Sequence, residues 1–402
     1  LDHHHLRLIA DPAGEPLPEL QDRLDTRVVR ADGLSPEAAR LLETEMLRSG
    51  GEAVAGREGG PDPEGPSTLY LLGTREAFER LSKGLEGRDP DGLGPRILGL
   101  VERGARRPRR LEAPGISLSY GNGPLVMGIL NVTPDSFSDG GRHIDPEAAV
   151  ARGVAMAREG ADVIDVGGES TRPGSEEVPE DEEIRRVVPV IERLADAVDV
   201  PLSIDTRKAA VAREALDAGA SILNDVSALG HDPEMLEVVG ETGAPVVLVH
   251  MKGEPRTMQE NPVYEDVVAE VYDWLERRAV ELEEAGLDPD ALVVDPGIGF
   301  GKRPEDNLDL LRSIGDFHGL GRAILVGASR KSFLGAVGAG AGPEERLPGS
   351  LAAASLCERS GVQWLRVHDV LETRALLDTL RAVRRGEMPG KRKARRASGR
   401  SG

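Results

Sequence analysis

The 402-residue chain carries a single cysteine, Cys357. One thiol excludes a disulfide framework and any metal site built from several cysteines. Folding then needs no oxidising compartment, and a cytoplasmic setting is expected. Long apolar runs are also missing: the stretch from Pro245 to Val249 is typical of the longest, far short of the ~20 residues that a bilayer crossing needs. The first residues, Leu-Asp-His-His-His, lack the basic end and apolar segment of a secretory leader, and the three histidines are assigned no role. The expectation is a soluble protein with no membrane partner. Positive charge is scarce as well, with a formal net charge of −20 and seven lysines against forty-three arginines. That balance argues against general nucleic-acid binding, which needs cationic excess facing phosphate. It also makes a lysine inside a strand-end motif conspicuous, because arginine is the default.

What is present is an alternation. Eight short β-branched runs end in polar residues: Val126 to Thr133, Asp162 to Ser170, Pro201 to Thr206, Ser221 to Ala228, Pro245 to Met251, Leu292 to Phe300, Ala323 to Arg330 and Gln363 to Val370. Amphipathic stretches such as Pro146 to Glu159 and Pro262 to Ala285 lie between them, closed by glycine or proline. Strands alternating with helices imply a parallel sheet, and eight units in about 260 residues predict a closed (β/α)8 TIM barrel rather than an open sheet.

Residues 1–112 are expected to form a separate small α/β N-terminal domain. Ser35 and Pro36 open a helix that ends before Gly50 and Gly51. A Gly/Pro-rich linker runs from Gly56 to Pro66, followed by a strand over Thr68 to Leu72 and helices over Arg75 to Leu85 and Pro95 to Ala105. This domain shows no catalytic pattern, so packing or oligomer contact is favoured over a second activity. The barrel takes residues 113–386. Residues 387–402 form a basic tail, with Lys391, Arg392, Lys393, Arg395, Arg396 and Arg400 and no acidic residue after Gly390. Such a block is read as solvated and disordered, with nucleic-acid contact as the minor alternative.

In a (β/α)8 barrel the active site lies at the C-terminal strand ends. There stand Asn131; Glu169, Thr171 and Arg172; Asp205; Asn224 and Asp225; His250; Asp295; Ser329, Arg330 and Lys331; and Arg366 and His368. Helix capping explains one or two such residues in a barrel, not one set at every strand. Asp205, Asn224 and Asp295 suit the in-plane hydrogen bonds of a flat heterocycle. A guanidine-like edge left without a carboxylate partner would cost roughly 1–3 kcal/mol once buried. Lys331, Arg366, Arg172 and His368 place positive charge on one rim of an acidic chain, which points to a phosphate or diphosphate ligand. The loop of residues 131–141 is long and rich in turn formers, as a lid would be, and residues 169–174 have the same character. Asn131 can offer an amide oxygen to a Mg²⁺ whose other ligands are phosphate oxygens and water.

Several strings carry a family resemblance. Met-Gly-Ile-Leu-Asn-Val-Thr-Pro-Asp-Ser-Phe-Ser-Asp-Gly-Gly from Met127 resembles the first signature of the dihydropteroate synthases, and Asp-Val-Gly-Gly-Glu-Ser-Thr-Arg-Pro-Gly from Asp165 resembles the second. Ser-Ile-Asp-Thr from Ser203, Asn-Asp-Val-Ser from Asn224, Asp-Pro-Gly-Ile-Gly-Phe-Gly-Lys from Asp295, Ser-Arg-Lys-Ser-Phe-Leu-Gly from Ser329 and Arg-Val-His-Asp-Val from Arg366 follow in the family's order. The resemblance covers the barrel and leaves out the N-terminal segment and the tail. It implies a transferase of folate biosynthesis, a sulfonamide target, that condenses 6-hydroxymethyl-7,8-dihydropterin diphosphate with 4-aminobenzoate to give 7,8-dihydropteroate and diphosphate. It further implies that Thr171, Asp205, Asn224, Asp295 and Lys331 hold the pterin diphosphate, with Arg366 and His368 on its diphosphate and Asn131 on Mg²⁺. Thr171, Arg172, Pro173, Phe300, Lys331 and Ser332 would shape the aminobenzoate pocket. Arg172, Lys331, Arg366 and His368 would carry catalysis, and a homodimer through late barrel helices is expected.

Some residues keep two readings. His250 is either a partly buried histidine bonded to backbone or a site residue. Asp225 either orients its loop or touches ligand. Asp165 is an internal barrel partner or part of the pterin site, and Glu169 is read as an organiser of the second loop. A pterin-binding methyltransferase would share the pterin carboxylate but needs no cationic diphosphate rim, and a catalytically silent pterin binder is the remaining rival.

Overall fold

The computed structural model describes residues 26–56, 67–89, 92–105, 108–133, 145–170, 175, 177–338 and 342–386. Thr171, Arg172, Pro173, the first long loop from residue 134 to 144, the linker 57–66 and the basic tail lie outside the described residues. The chain divides into two compact units, Leu1–Arg106 and Arg107–Gly402.

In the first unit, strands β1 (Arg27–Leu34), β2 (Glu52–Ala55) and β3 (Ser67–Gly73) form an antiparallel sheet in the order β1-β3-β2. Helices α1 (Pro36–Arg48), α2 (Arg75–Leu85) and α3 (Leu93–Ala105) accompany it. Ser35 caps α1 by accepting from the Ala38 N–H at 3.1 Å, with Pro36 in the first turn, and Thr74 caps α2. Leu42, Met46, Leu69, Leu71, Phe78, Leu81 and Leu85 form the buried core of this unit. β3 and the three helices lie where the sequence predicts them, whereas β1 and β2 do not follow from the sequence pattern. Arg27, Arg30 and Asp32 interrupt the apolar pattern of β1. β2 has four residues, and Val54, its one large apolar side chain, is 51% exposed.

The second unit begins with a hairpin, β4 (Arg110–Ala113) and β5 (Ile116–Ser119), turned at Gly115 with φ +75°. A closed barrel of eight parallel strands follows: β6 (Leu125–Asn131), β7 (Val163–Gly167), β8 (Leu202–Asp205), β9 (Ile222–Asp225), β10 (Val246–Val249), β11 (Leu292–Asp295), β12 (Ala323–Val326) and β13 (Trp364–Val367). β13 closes on β6, with Trp364 opposite Leu125 and Val367 opposite Gly128. Each of the eight runs read from the sequence carries one strand, because parallel strands covered on both faces need unbroken apolar residues.

Helices α4 (Pro146–Glu159), α5 (Glu180–Ala197), α6 (Ala209–Asp217), α7 (Met235–Thr242), α8 (Val267–Glu284), α9 (Pro304–Arg312), α10 (Ser332–Val337), α11 (Leu347–Arg359) and α12 (Val370–Arg385) alternate with the strands. Their ends obey local rules. Asp145 caps α4 through the Glu147 N–H and Gly160, at φ 106°, ends it. Asp266 accepts from the Val268 and Ala269 N–H groups at the start of α8.

At the N-terminal end of the barrel, Leu111 and Ile116 from the β4–β5 hairpin join Leu125, Met127 and Trp364 in one apolar cluster. The Trp364 indole N–H donates to the Tyr120 hydroxyl at 3.0 Å, and the two rings meet edge to face. The hairpin plugs that end, which leaves the opposite rim for chemistry. Because Trp364 is fully buried, Trp364→Ala is expected to cost about 3–5 kcal/mol of stability, measured as a lower midpoint in urea unfolding.

Candidate active site

The rim is built from the residue at which each strand turns from apolar to polar. Asp205 ends β8, Asn224 and Asp225 end β9, Asp295 ends β11, Asn131 ends β6, and Arg366 lies in β13 with His368 just beyond it. Lys331 stands immediately before α10 and Ser332 opens that helix.

Arg366 holds the centre. Its Nε donates to Asp165 Oδ2 at 2.6 Å and a terminal nitrogen donates to Asp205 Oδ2 at 2.5 Å. The Asn224 amide donates to the same Asp165 oxygen at 3.0 Å. All four side chains are largely buried. Burial works against the Arg366 charge, and the two carboxylates outweigh it, so the guanidinium is held even more firmly protonated than usual. Burial likewise pushes Asp205 upward, with Arg366 pulling it back. Three oxygens of this cluster, Asp165 Oδ1, Asp205 Oδ1 and Asn224 Oδ1, are shielded from solvent and accept no hydrogen bond from the described residues. Buried acceptors without donors are costly, and these three point to a ligand that brings N–H groups.

Asp295 is the fourth acceptor. Its Oδ1 takes the Gly297 N–H at 2.7 Å, and burial raises its carboxyl to about 6, against hydrogen bonding from Gly297 and the charges of Lys331, Lys302 and Arg366. The chain beyond it folds around Lys302, whose buried ammonium reaches His250 Nδ1 at 2.8 Å and donates to the Phe300 carbonyl at 3.0 Å. Gly297 has φ +69°, and a Cβ there would lie 1.8 Å from the His250 carbonyl oxygen, so only glycine fits. Phe300 is thereby presented under Lys331, whose ammonium sits 4.0 Å from the ring centroid.

On the β13 side, Ser329 Oγ meets both the backbone N–H and Nδ1 of His368, at 3.2 and 3.1 Å. Arg330, at φ +58°, grips Asp369 through two nitrogens at 3.0 and 2.6 Å. The strings carrying Lys331 and His368 are thus locked together.

The structure also separates the double readings. His250 is buried, edge-on to Trp274, with its backbone N–H on the Asp295 carbonyl; burial, then the neighbouring Lys302, pushes its ring down to about 2. Asp225 spends its carboxylate on Ser227 and the Leu229 N–H in its own loop. Asp165 is an internal partner of Arg366 with one oxygen left over. Glu169 binds Lys208 and the Val178 N–H. Among the described residues Asn131 makes no side-chain hydrogen bond, and no three His, Cys, Asp or Glu side chains gather as a metal cage. Thr171, Arg172 and Pro173 belong to the expected site but lie outside the described residues. The supporting contacts of Lys302, Ser329 and Asp369 are not predicted by the sequence; a lysine in a strand-end string of an arginine-rich chain is the local signal for the first of them.

Lys302 makes stability depend on pH. Burial lowers its pKa from 10.5 to about 7, partly offset by Asp295, so between those values the unfolded chain holds a proton that the folded chain has lost. Its contribution to stability therefore rises with pH across that window. Urea unfolding of wild type and Lys302→Met at pH 7 and near pH 9.5 is expected to show the difference moving in favour of wild type at the higher pH.

The pterin-binding enzyme family matches residues 127–368. The dihydropteroate synthase of Escherichia coli K12 is 49% identical over 264 residues, covering 66% of this chain and 93% of that protein. A probable bifunctional folylpolyglutamate synthase/dihydropteroate synthase of Haloferax volcanii is 44% identical over 362 residues, covering 86% of this chain and 42% of that protein. The second match is wider than the barrel unit, so it takes in part of the N-terminal unit. The solved structure of Xanthomonas albilineans dihydropteroate synthase with 4-aminobenzoic acid superposes with a TM-score of 0.64 at 48% identity, covering 68% of this chain and 98% of that one.

Proposed function

The chain belongs to the pterin-binding enzyme family, among the dihydropteroate synthases, and on that premise we propose how its rim divides the work of the condensation. The enzyme joins 6-hydroxymethyl-7,8-dihydropterin diphosphate to 4-aminobenzoate, giving 7,8-dihydropteroate and diphosphate. The observation that carries the assignment of residues is the set of buried, unpartnered acceptors, Asp165 Oδ1, Asp205 Oδ1 and Asn224 Oδ1. With Asp295 they form an acceptor-rich wall suited to the N–H groups of a pterin, and Lys331 completes the pocket.

The C–O bond to diphosphate breaks first, because the electron-rich dihydropterin delocalises the cation left behind. The aminobenzoate amine, neutral at pH 7, then attacks the exocyclic carbon and loses a proton. No covalent nucleophile is required. Arg366 uses two of its N–H groups on Asp165 and Asp205, and a guanidinium has five. The remainder, with His368, is assigned to the leaving diphosphate, where fixed cations lower the barrier. Phe300, Lys331, Ser332, Thr171, Arg172 and Pro173 are assigned to the aminobenzoate. Arg172 acts on the assembled site, where excluding water protects a reactive cation.

Asn131 fits a Mg²⁺ shared with substrate: one neutral oxygen at a strand end, without a competing side-chain hydrogen bond among the described residues. Bound there, the ion would neutralise charge on the departing diphosphate. No described helix is long and apolar enough to cross a membrane, and we place the enzyme in the cytoplasm. A homodimer is supported by Leu356, Leu371 and Val383, apolar residues exposed on α11 and α12.

Asp295→Ala is expected to weaken pterin binding by about 10- to 100-fold, the value of a charge-assisted hydrogen bond left unmade. Undiminished affinity in calorimetry would remove Asp295 from the pterin site. Arg172→Ala is expected to lower kcat by at least about tenfold with pterin affinity nearly unchanged; equal losses in both would make Arg172 a pterin contact instead.

A further inference from the structure

We propose that Lys208 is a positioning residue that fixes both ends of the second active-site loop through a buried clasp with Glu169, Glu183 and Val178. This rests on the synthase reading of the loop. Lys208 stands just before α6, three residues after Asp205. Its ammonium donates to Glu169 Oε2 at 2.7 Å, to Glu183 Oε2 at 2.6 Å and to the Val178 carbonyl at 2.7 Å. An ammonium has three N–H groups, and all three are spent. Glu169 Oε2 also accepts from the Val178 N–H at 2.8 Å. The three charged side chains are 6%, 9% and 1% exposed.

Glu169 leaves β7 at the start of the segment that carries Thr171, Arg172 and Pro173. Val178 ends it, just before α5, and Glu183 lies in the first turns of α5. One buried ammonium therefore ties the departure and the return of that segment to a single point. The same β8–α6 connection delivers Asp205, and Thr206 Oγ1 accepts from the Lys208 N–H at 3.3 Å. Asp205 and the ammonium that holds the base of the second loop thus lie three residues apart on one stretch of backbone. Arg207 adds a second tie, 3.1 Å from Glu177 and 3.5 Å from Glu169.

Stability alone is a poor reason for such a cluster. Buried ion pairs often gain little over apolar residues of the same volume, and in some proteins their contribution is to specify one geometry. Reaction rates are sensitive to that geometry, since a misplacement of about 1 Å can cost on the order of 100-fold.

The test compares wild type, Lys208→Met, Lys208→Arg and the milder Glu169→Gln. Diphosphate release with 4-aminobenzoate, pterin diphosphate affinity by calorimetry, and hydrogen exchange in the peptide spanning residues 169–179 are measured on each. Lys208→Met is expected to lower kcat by about 10- to 100-fold and to raise the KM for aminobenzoate. Pterin affinity should stay near wild type, exchange at Val178 should accelerate, and Lys208→Arg should recover part of the rate. If Lys208→Met does not fold, the same pattern at smaller amplitude is expected in Glu169→Gln. Unchanged exchange at Val178, or a lowered melting temperature with unchanged kcat and KM, would overturn the clasp. Wild type without condensation but with slow exchange at Val178 that the variants accelerate would instead count against the synthase reading and leave the clasp standing.

Discussion

At the mouth of the barrel one guanidinium, Arg366, stands between two carboxylates that could not otherwise be buried together. Asp165 and Asp205 come from neighbouring strands, β7 and β8, and both point inward. Two ionised carboxylates at such separation in a medium of low dielectric would drive one to take up a proton. Arg366 from β13 eases that conflict, although burial still holds Asp205 above the usual carboxylate range, and it keeps the two carboxylates in place before any ligand arrives. Asn224 binds the same Asp165 oxygen and aligns the third strand of the array. Remove the guanidinium and this wall of acceptors loses its charge balance and its geometry together.

A second layer of contacts holds the other half of the rim. Lys302 gathers the Asp295 turn, the Phe300 carbonyl and His250 around one buried nitrogen. Ser329 and Arg330 join the Lys331 string to the His368 string. The Lys208 clasp does the equivalent for the second loop. Among the described residues, two of the chain's seven lysines, Lys208 and Lys302, are buried behind the rim, while Lys331 is half-buried. A compact ammonium meets three converging acceptors more readily than a planar guanidinium does, which fits lysine at positions 208 and 302 of an arginine-rich chain.

Most of the barrel was legible because burial on both faces leaves each strand as a short apolar run, and the change to polar residues marks the rim. Asp205, Asn224, Asp295 and Arg366 were therefore readable as rim residues. The way they pair was not. Arg366 meets Asp165 across 201 residues and Asp205 across 161, and nothing local in β7 distinguishes Asp165 from a capping carboxylate. The roles of Lys302, Asp369 and Lys208 were hidden for the same reason: each is defined by partners on other strands. The eight-residue edge strand β1 escaped because Arg27, Arg30 and Asp32 interrupt its apolar pattern, and β2, β4 and β5 because four residues carry too little periodicity to show.

Coupling of carbon–oxygen cleavage to amine capture is what the arrangement of this rim predicts. The direct measurement is diphosphate release by the purified full chain given 6-hydroxymethyl-7,8-dihydropterin diphosphate and Mg²⁺, with and without 4-aminobenzoate, alongside dihydropteroate formation. Release that depends on aminobenzoate and matches dihydropteroate in equal amount is the expected result. Tight pterin binding with neither product would contradict it and leave a silent pterin binder in its place.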